Sequence, residues 1–412
     1  MENSVTITIE EPARAPREPA LFTNAFRPLF LACGGWAIIG IAVWLAMLFG
    51  YIELPSRFDP LTWHIHEMLF GFVMAAVGGF LLTAIPNWTG RLPVRGNRLA
   101  LLTGLWLLGR IACLISAEIP AWLAIAADLS FPATLLAVAA REIITGRNWR
   151  NLPMTAPVAV FIAADLLMHL ESLGVGVPSG LGWRLALAAP ILLISVIGGR
   201  IIPSFTRNWL VKRGSARLPA PHGPADIAAI GVLHAGLILW AVLPDFSLAG
   251  MILVLAAALN AWRLTRWAGG ATLGEPLLFI LHVGYGWLVI GVALLGLSVL
   301  DAGIPVSSPI HALTAGAIGI MILAMMPRVT LGHTGRELSA NRATVALYVL
   351  IGLAAVTRVA APWASGAMML LIALSGICWI AAFGLFEIVY GPMLTGPRPA
   401  RPTTAATPSG KP

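Results

Sequence analysis

Apolar runs long enough to cross a bilayer recur along the whole chain, each broken by a short polar turn. Twelve such runs can be counted, at about 28–50, 61–85, 98–116, 121–140, 153–172, 183–202, 224–243, 248–268, 276–300, 308–326, 341–361 and 363–390. Each is close to the roughly twenty residues that a membrane helix needs. The pattern predicts an all-α polytopic membrane protein of about twelve transmembrane helices. It divides the chain into an N-terminal tail (1–27), one helical domain (28–390) and a C-terminal tail (391–412). The first twenty residues lack a short apolar core followed by a small-residue cleavage site, so no removable signal peptide is expected. The Pro/Thr/Ser-rich stretch from about Gly396 is expected to be disordered.

Composition agrees: of 412 residues 58% are hydrophobic and only 11% charged, about half the charged share of a soluble domain. A net charge of +8 raises nucleic acid as a partner, but its distribution points to a membrane. With loops assigned alternately to two sides, 22 of the 26 basic residues fall on the side of the N-terminus. Only Arg57, Arg184 and Arg358 fall on the other, and Arg110 lies inside a span. This positive-inside asymmetry predicts two cytoplasmic termini in a bacterial inner membrane, with the lipid bilayer rather than nucleic acid as surrounding partner. Cys33, Cys113 and Cys378 all fall in spans and form no C-x-x-C, so neither an iron–sulfur cluster nor a covalent haem is expected. Packing as small apolar residues is their plain role.

A weak repeat appears at the cytoplasmic ends of spans 2, 6 and 10. Each runs into P-x-x-T, at Pro86–Thr89, Pro203–Thr206 and Pro327–Thr330, which reads either as an internal repeat or as a common way to end a helix. If the repeat is real, the bundle is three four-helix units. Haem–copper oxidase first subunits share that topology and carry haem-ligating histidines on spans 2 and 10.

The candidate chemistry is histidine chemistry. His222 and His333 are placed in cytoplasmic loops, His234 mid-span, and His282 in the cytoplasmic half of span 9. His64, His66, His169 and His311 all fall at the outer ends of their spans. Imidazole ligates haem iron, copper and zinc, and intramembrane ionisable groups are functional by default. Asp59-Pro60 reads as N-cap and first helical residue. His64 and His66 would then face about 200° apart and serve different environments. In a regular helix His64 shares its face with Glu67, an acceptor able to orient it. Asp165 stands four residues before His169 and backs it in the same way. Span 10 starts similarly, at Ser308-Pro309 followed by His311. Gly71 and Gly316 each follow a histidine by five residues and leave room for a flat macrocycle or for another helix. His282 and Tyr285 form an i, i+3 pair. Arg110 and Asp128 stand at equal depth on adjacent helices, either as a structural ion pair or with Arg110 free to hold a haem propionate.

These residues lie in blocks that resemble the NnrS family of bacterial membrane proteins. They are F-R-P-L-F near Phe26, W-H-I-H-E-M-L-F-G-F from Trp63, G-F-L-L-T-A-I-P-N-W-T-G-R from Gly79 and G-G-R-I-I-P-S-F-T-R-N-W from Gly198. L-H-V-G-Y-G-W from Leu281 and the segment from His311 to Arg336 continue the likeness. The resemblance implies a twelve-span inner-membrane protein with haem and copper, acting in nitric oxide metabolism or nitrosative-stress resistance and associated with denitrification. Its cofactor ligands carry over as His64, His66 and His311 first, then His169, His282 and His333. Tyr285 and Arg110 are further cofactor contacts, and Glu67 and Asp165 supporting groups. The expected cofactor is a non-covalent haem b, with copper as a second candidate and nitric oxide or a derived species as ligand. No His-His pair occurs in span 7, so an oxidase-type binuclear copper site is not expected. The competing class is a transporter or metal-handling protein without redox chemistry, for which Met321 and Met325 at helical spacing would be copper(I) contacts.

Overall fold

A computed structural model describes residues 19–399; expectations for the outermost parts of both tails lie outside the described residues. The described chain is helical, with no strand among its residues. Twelve helices are long and apolar enough to span a membrane. They are α1 (Phe26–Leu48), α2 (Pro60–Thr89), α3 (Asn97–Leu114), α4 (Ala121–Thr145), α5 (Trp149–Ser172) and α6 (Leu181–Lys212). The series continues with α7 (Pro224–Val242), α8 (Ser247–Thr265), α9 (Pro276–Val299), α10 (Ser307–His333), α11 (Arg342–Trp363) and α12 (Met368–Thr395). They match the twelve apolar runs one for one. Residues 391–395, placed in the tail on sequence, continue α12 as helix.

The ends follow local chemistry. Asp59 accepts from the backbone N–H of Leu61 at 3.0 Å and Thr62 at 3.2 Å, with Pro60 opening α2; the helix starts where the Asp-Pro pair places it. Span 10 starts differently. No side chain caps it, and Ser308 Oγ instead donates across to the Val359 carbonyl of α11 at 3.0 Å. Buried Arg27 of α1 donates to the carbonyls of Leu394 and Gly396, each at 2.8 Å, and of Met393 at 3.3 Å. It thereby satisfies the orphan carbonyls at the end of α12. Most helices pack against the next in sequence as hairpins, and α12 returns to pack against α1.

Burial separates centre from periphery. Of the most apolar window of each helix, 78% is buried in α10 and 72% in α2, against 39% in α1, α3 and α4; α2 and α10 therefore run through the middle. Both contain a π-helical stretch, Glu67–Val73 in α2 and Ala312–Gly319 in α10, and α6 has a shorter one at Ile194–Gly198. Such insertions are rare and cluster at functional sites.

The helix-ending reading of P-x-x-T is corrected. Only α2 stops at its motif, at Thr89 with Gly90 in the left-handed region (φ +69°). Pro203 and Pro327 lie inside helices that run on to Lys212 and His333. His333 is accordingly the last residue of a helix, not part of a loop. All three threonines nonetheless make the same bond, Oγ1 donating to the carbonyl just before the proline: Thr89 to Ile85, Thr206 to Ile202, Thr330 to Met326. Back-bonding of this kind relaxes a helix without ending it.

Candidate functional site

The residues at the start of α2 build two environments, one on each side of that helix. His64 faces a cavity of about 360 Å³ bounded by α1, α2, α6, α10, α11 and α12, within the roughly 300–1,000 Å³ usual for small-molecule sites. His311 of α10 and Arg358 of α11 line the same cavity, and most of the remaining wall is aliphatic or aromatic. The His64 ring stacks on Trp44, with centroids 4.6 Å apart and planes 19° apart. Its Nδ1 is buried with no hydrogen-bond partner among the described residues. His311 Nδ1 donates to the Ser307 carbonyl at 2.7 Å, one turn back along α10. That bond fixes the tautomer and leaves Nε2 as a free lone pair, the arrangement metal-ligating histidines adopt. The cavity reaches the surface beside Leu61 and Val306, both exposed, at the end of the bundle where α2 and α10 begin.

His66 turns the other way and is fully buried. Its Nδ1 is 3.0 Å from Glu67 Oε1; its Nε2 is 2.9 Å from Asp165 Oδ1 and 3.0 Å from Asp128 Oδ2. Arg110 donates to both Glu67 oxygens at 2.8 Å and to Asp128 Oδ1. His169 Nε2 lies 3.0 Å from Asp128 Oδ2 and 3.6 Å from Asp165 Oδ1, and Cys113 Sγ donates to Asp128 Oδ2 at 3.1 Å. The Phe58 ring closes the group, 4.7 Å from His66 and 5.1 Å from His169. Four helices, α2 to α5, thus meet at one buried ionic knot.

Several expectations change in this geometry. Glu67 orients His66, not His64, because α2 widens into its π-helical stretch at Glu67 and the regular 100° step no longer applies. Arg110 meets Asp128 but meets Glu67 as well, and it does not line the cavity; the cation there is Arg358. Gly71 and Gly316 make room for tryptophans rather than for a macrocycle. A Cβ at Gly71 would lie 2.4 Å from Trp36 Nε1, and one at Gly316 2.8 Å from the Trp287 ring. Trp106 Nε1 also donates to the Gly71 carbonyl at 2.9 Å.

The remaining histidines stand apart from both environments. His282 Nε2 is 3.0 Å from Thr206 Oγ1. Its expected partner Tyr285 belongs to a different network, accepting from Arg263 at 2.9 Å and donating to Asn260 at 2.6 Å. Arg263 in turn pairs with Asp226 at 3.0 Å. His234 Nδ1 donates to the Ile230 carbonyl at 2.8 Å. His333 packs on Phe26 with centroids 5.5 Å apart, and His222 is exposed before α7.

Sequence reasoning missed Arg358, Trp44, Phe58 and the role of Cys113. On sequence Arg358 enters only as a basic residue of the outer side, whereas in the structure it lines the same cavity as His64 and His311. Cys113 follows Arg110 by three residues and so shares its helix face; that spacing was the available signal.

A family model described as NnrS protein matches residues 20–398, nearly the whole described chain. No curated protein matches the chain.

Proposed function

The chain belongs to the NnrS family, membrane proteins linked to nitric oxide, and from that premise we propose that it holds a non-covalent b-type haem in the His64–His311 cavity. The observation that carries the reading is the convergence of His64, His311 and Arg358, from three helices, on one mainly apolar cavity.

The residues present fit such a group. His311 offers Nε2 with its tautomer fixed by the Ser307 carbonyl. His64 has a buried nitrogen without a partner and a ring held by Trp44. Arg358 supplies a positive charge for a propionate. A haem bound there would supply an iron able to bind nitric oxide or to pass one electron. The chain's own part is to hold the ring between α2 and α10, to exclude water with aliphatic and aromatic walls, and to neutralise the acidic edge. Apolar nitric oxide would reach the cavity from lipid beside Leu61. The basic asymmetry supports an orientation with this end of the bundle on the outer side of a bacterial inner membrane.

Reduced-minus-oxidised absorption and pyridine haemochrome assays on detergent-purified protein test the proposal. Wild type and His222→Ala should carry haem, and His64→Ala and His311→Ala should lose it. Full haem occupancy in both cavity variants would overturn the assignment.

A further inference from the structure

On the far side of α2 from the cavity, three ligand-type atoms converge on one oxygen. His66 Nε2, His169 Nε2 and Cys113 Sγ lie 3.0, 3.0 and 3.1 Å from Asp128 Oδ2. One ligand atom from each of these four residues lies within 4.8 Å of every other, and all four residues are buried. We propose that His66, Cys113, Asp128 and His169 form a binding site for one transition-metal ion of the copper–zinc class, separate from the haem cavity.

The donor set selects that class. Two imidazoles and a thiol suit copper or zinc and disfavour magnesium or calcium, which take oxygen ligands. The surroundings are those of a ligated histidine. His66 turns Nδ1 to Glu67 Oε1 at 3.0 Å, which leaves Nε2 for an ion that takes the place of the proton it now directs at Asp165 and Asp128, and Arg110 holds Glu67 in place through both oxygens. Phe58 covers the two imidazoles.

Charge and hydrogen bonding give a second, independent argument. The three carboxylates of Glu67, Asp128 and Asp165 share the knot with one guanidinium, Arg110, which pairs with the first two while Asp165 meets His66. With neutral imidazoles the knot carries a surplus of two negative charges, costly in a buried membrane site. Asp165 Oδ2 is fully buried with no partner among the described residues, while three groups crowd onto Asp128 Oδ2. A divalent ion seated among these atoms, with Cys113 as thiolate, cuts that surplus from two negative charges to one, replaces the crowded contacts and leaves Asp165 beside it. Binding displaces the Cys113 thiol proton to solvent and forms no new covalent bond between residues.

The full-length, haem-loaded protein in detergent is stripped with chelator, incubated separately with Zn²⁺, Cu⁺ and Co²⁺, desalted and assayed for metal per chain. Wild type should keep one ion, and the Co²⁺ form should show thiolate-to-cobalt charge transfer. Cys113→Ser should lose that band and weaken retention about 10-fold or more, the scale on which metal sites respond to loss of a supporting group. His169→Gln should weaken retention similarly, and Cys378→Ser should bind like wild type. Both test variants leave Arg110 paired, so the haem spectrum serves as folding control and as a separate reading of the haem proposal. Wild type holding none of the three ions, or Cys113→Ser keeping both the ion and the thiolate band, would overturn the inference.

Discussion

His64 and His66 are two residues apart, yet they face different chemistry. His64 stacks on Trp44 in an apolar cavity, and His66 is held between Glu67 and Asp165 in an ionic knot. A helix turns about 200° in two residues, so one short sequence serves both sides of a central span. The two substitutions should therefore separate. His64→Ala should lose haem and keep the bundle intact. His66→Gln should keep haem but melt at lower temperature, because Glu67 and Asp165 lose a buried partner. Haem-to-protein ratios and thermal melts in detergent check both, and identical behaviour of the two variants would refute the division.

Arg110 bridges Glu67 and Asp128, so it is not half of a simple pair. Arg110→Ala should destabilise by about 3–5 kcal/mol, the cost of leaving buried charge uncompensated. Removing Asp128 as well should recover little, since Glu67 still lacks its guanidinium and keeps only His66 Nδ1 at 3.0 Å. The triple variant Arg110→Leu, Glu67→Gln, Asp128→Asn should melt above Arg110→Ala. Full recovery in the Arg110→Ala, Asp128→Ala double variant would show that the contact with Glu67 carries no weight.

The span pattern was legible because bilayer length and apolar period leave few alternatives, and all twelve runs became helices. The opposed faces of His64 and His66 were legible for the same reason. The partner of Glu67 was not, since a π-helical stretch changes which residues share a face and nothing in the pattern of Glu67–Val73 announces it. Arg358 was hidden by being counted as a topology signal. Its role depends on which helices become neighbours of α11, and hydropathy along one chain does not encode that. Ser308 looked like a cap, but tertiary packing gave its hydroxyl to Val359.

Gly71 is required by a close approach. A Cβ there would meet Trp36 Nε1 at 2.4 Å and Cδ1 at 2.6 Å, both on a large ring wedged between helices. Gly71→Ala should cost about 1–3 kcal/mol, the usual price of overpacking, whereas Gly104→Ala, with nothing within 4 Å of its Cβ, should cost nothing measurable. Adding Trp36→Leu should relieve Gly71→Ala. Thermal melts of the four proteins decide the matter, and a double variant no better than Gly71→Ala would place the strain elsewhere.

The 22-to-3 division of basic residues between the two sides sets an expected orientation. Reporters fused after α12 should be active in the cytoplasm, and reporters placed after α1 or α9 should be active on the outer side. The opposite pattern would put the cavity mouth at Leu61 on the inner face.

Among the described residues Arg358 is the one Lys or Arg on the wall of the His64–His311 cavity, and its charge should be read by any haem bound there. A nearby positive charge favours ferrous over ferric iron, which carries one more positive charge, and in low dielectric the effect is weakly screened. Arg358→Ala should therefore lower the haem midpoint potential and loosen the haem, because a propionate loses its counter-charge. Arg358→Lys should restore most of the potential, since the charge remains. It should restore less of the retention, since a lysine offers a point charge without the guanidinium fork. Redox titration and haem transfer to apomyoglobin measure the two effects separately. An unchanged potential together with unchanged haem loss in Arg358→Ala would place the propionates, and with them the ring, away from α11.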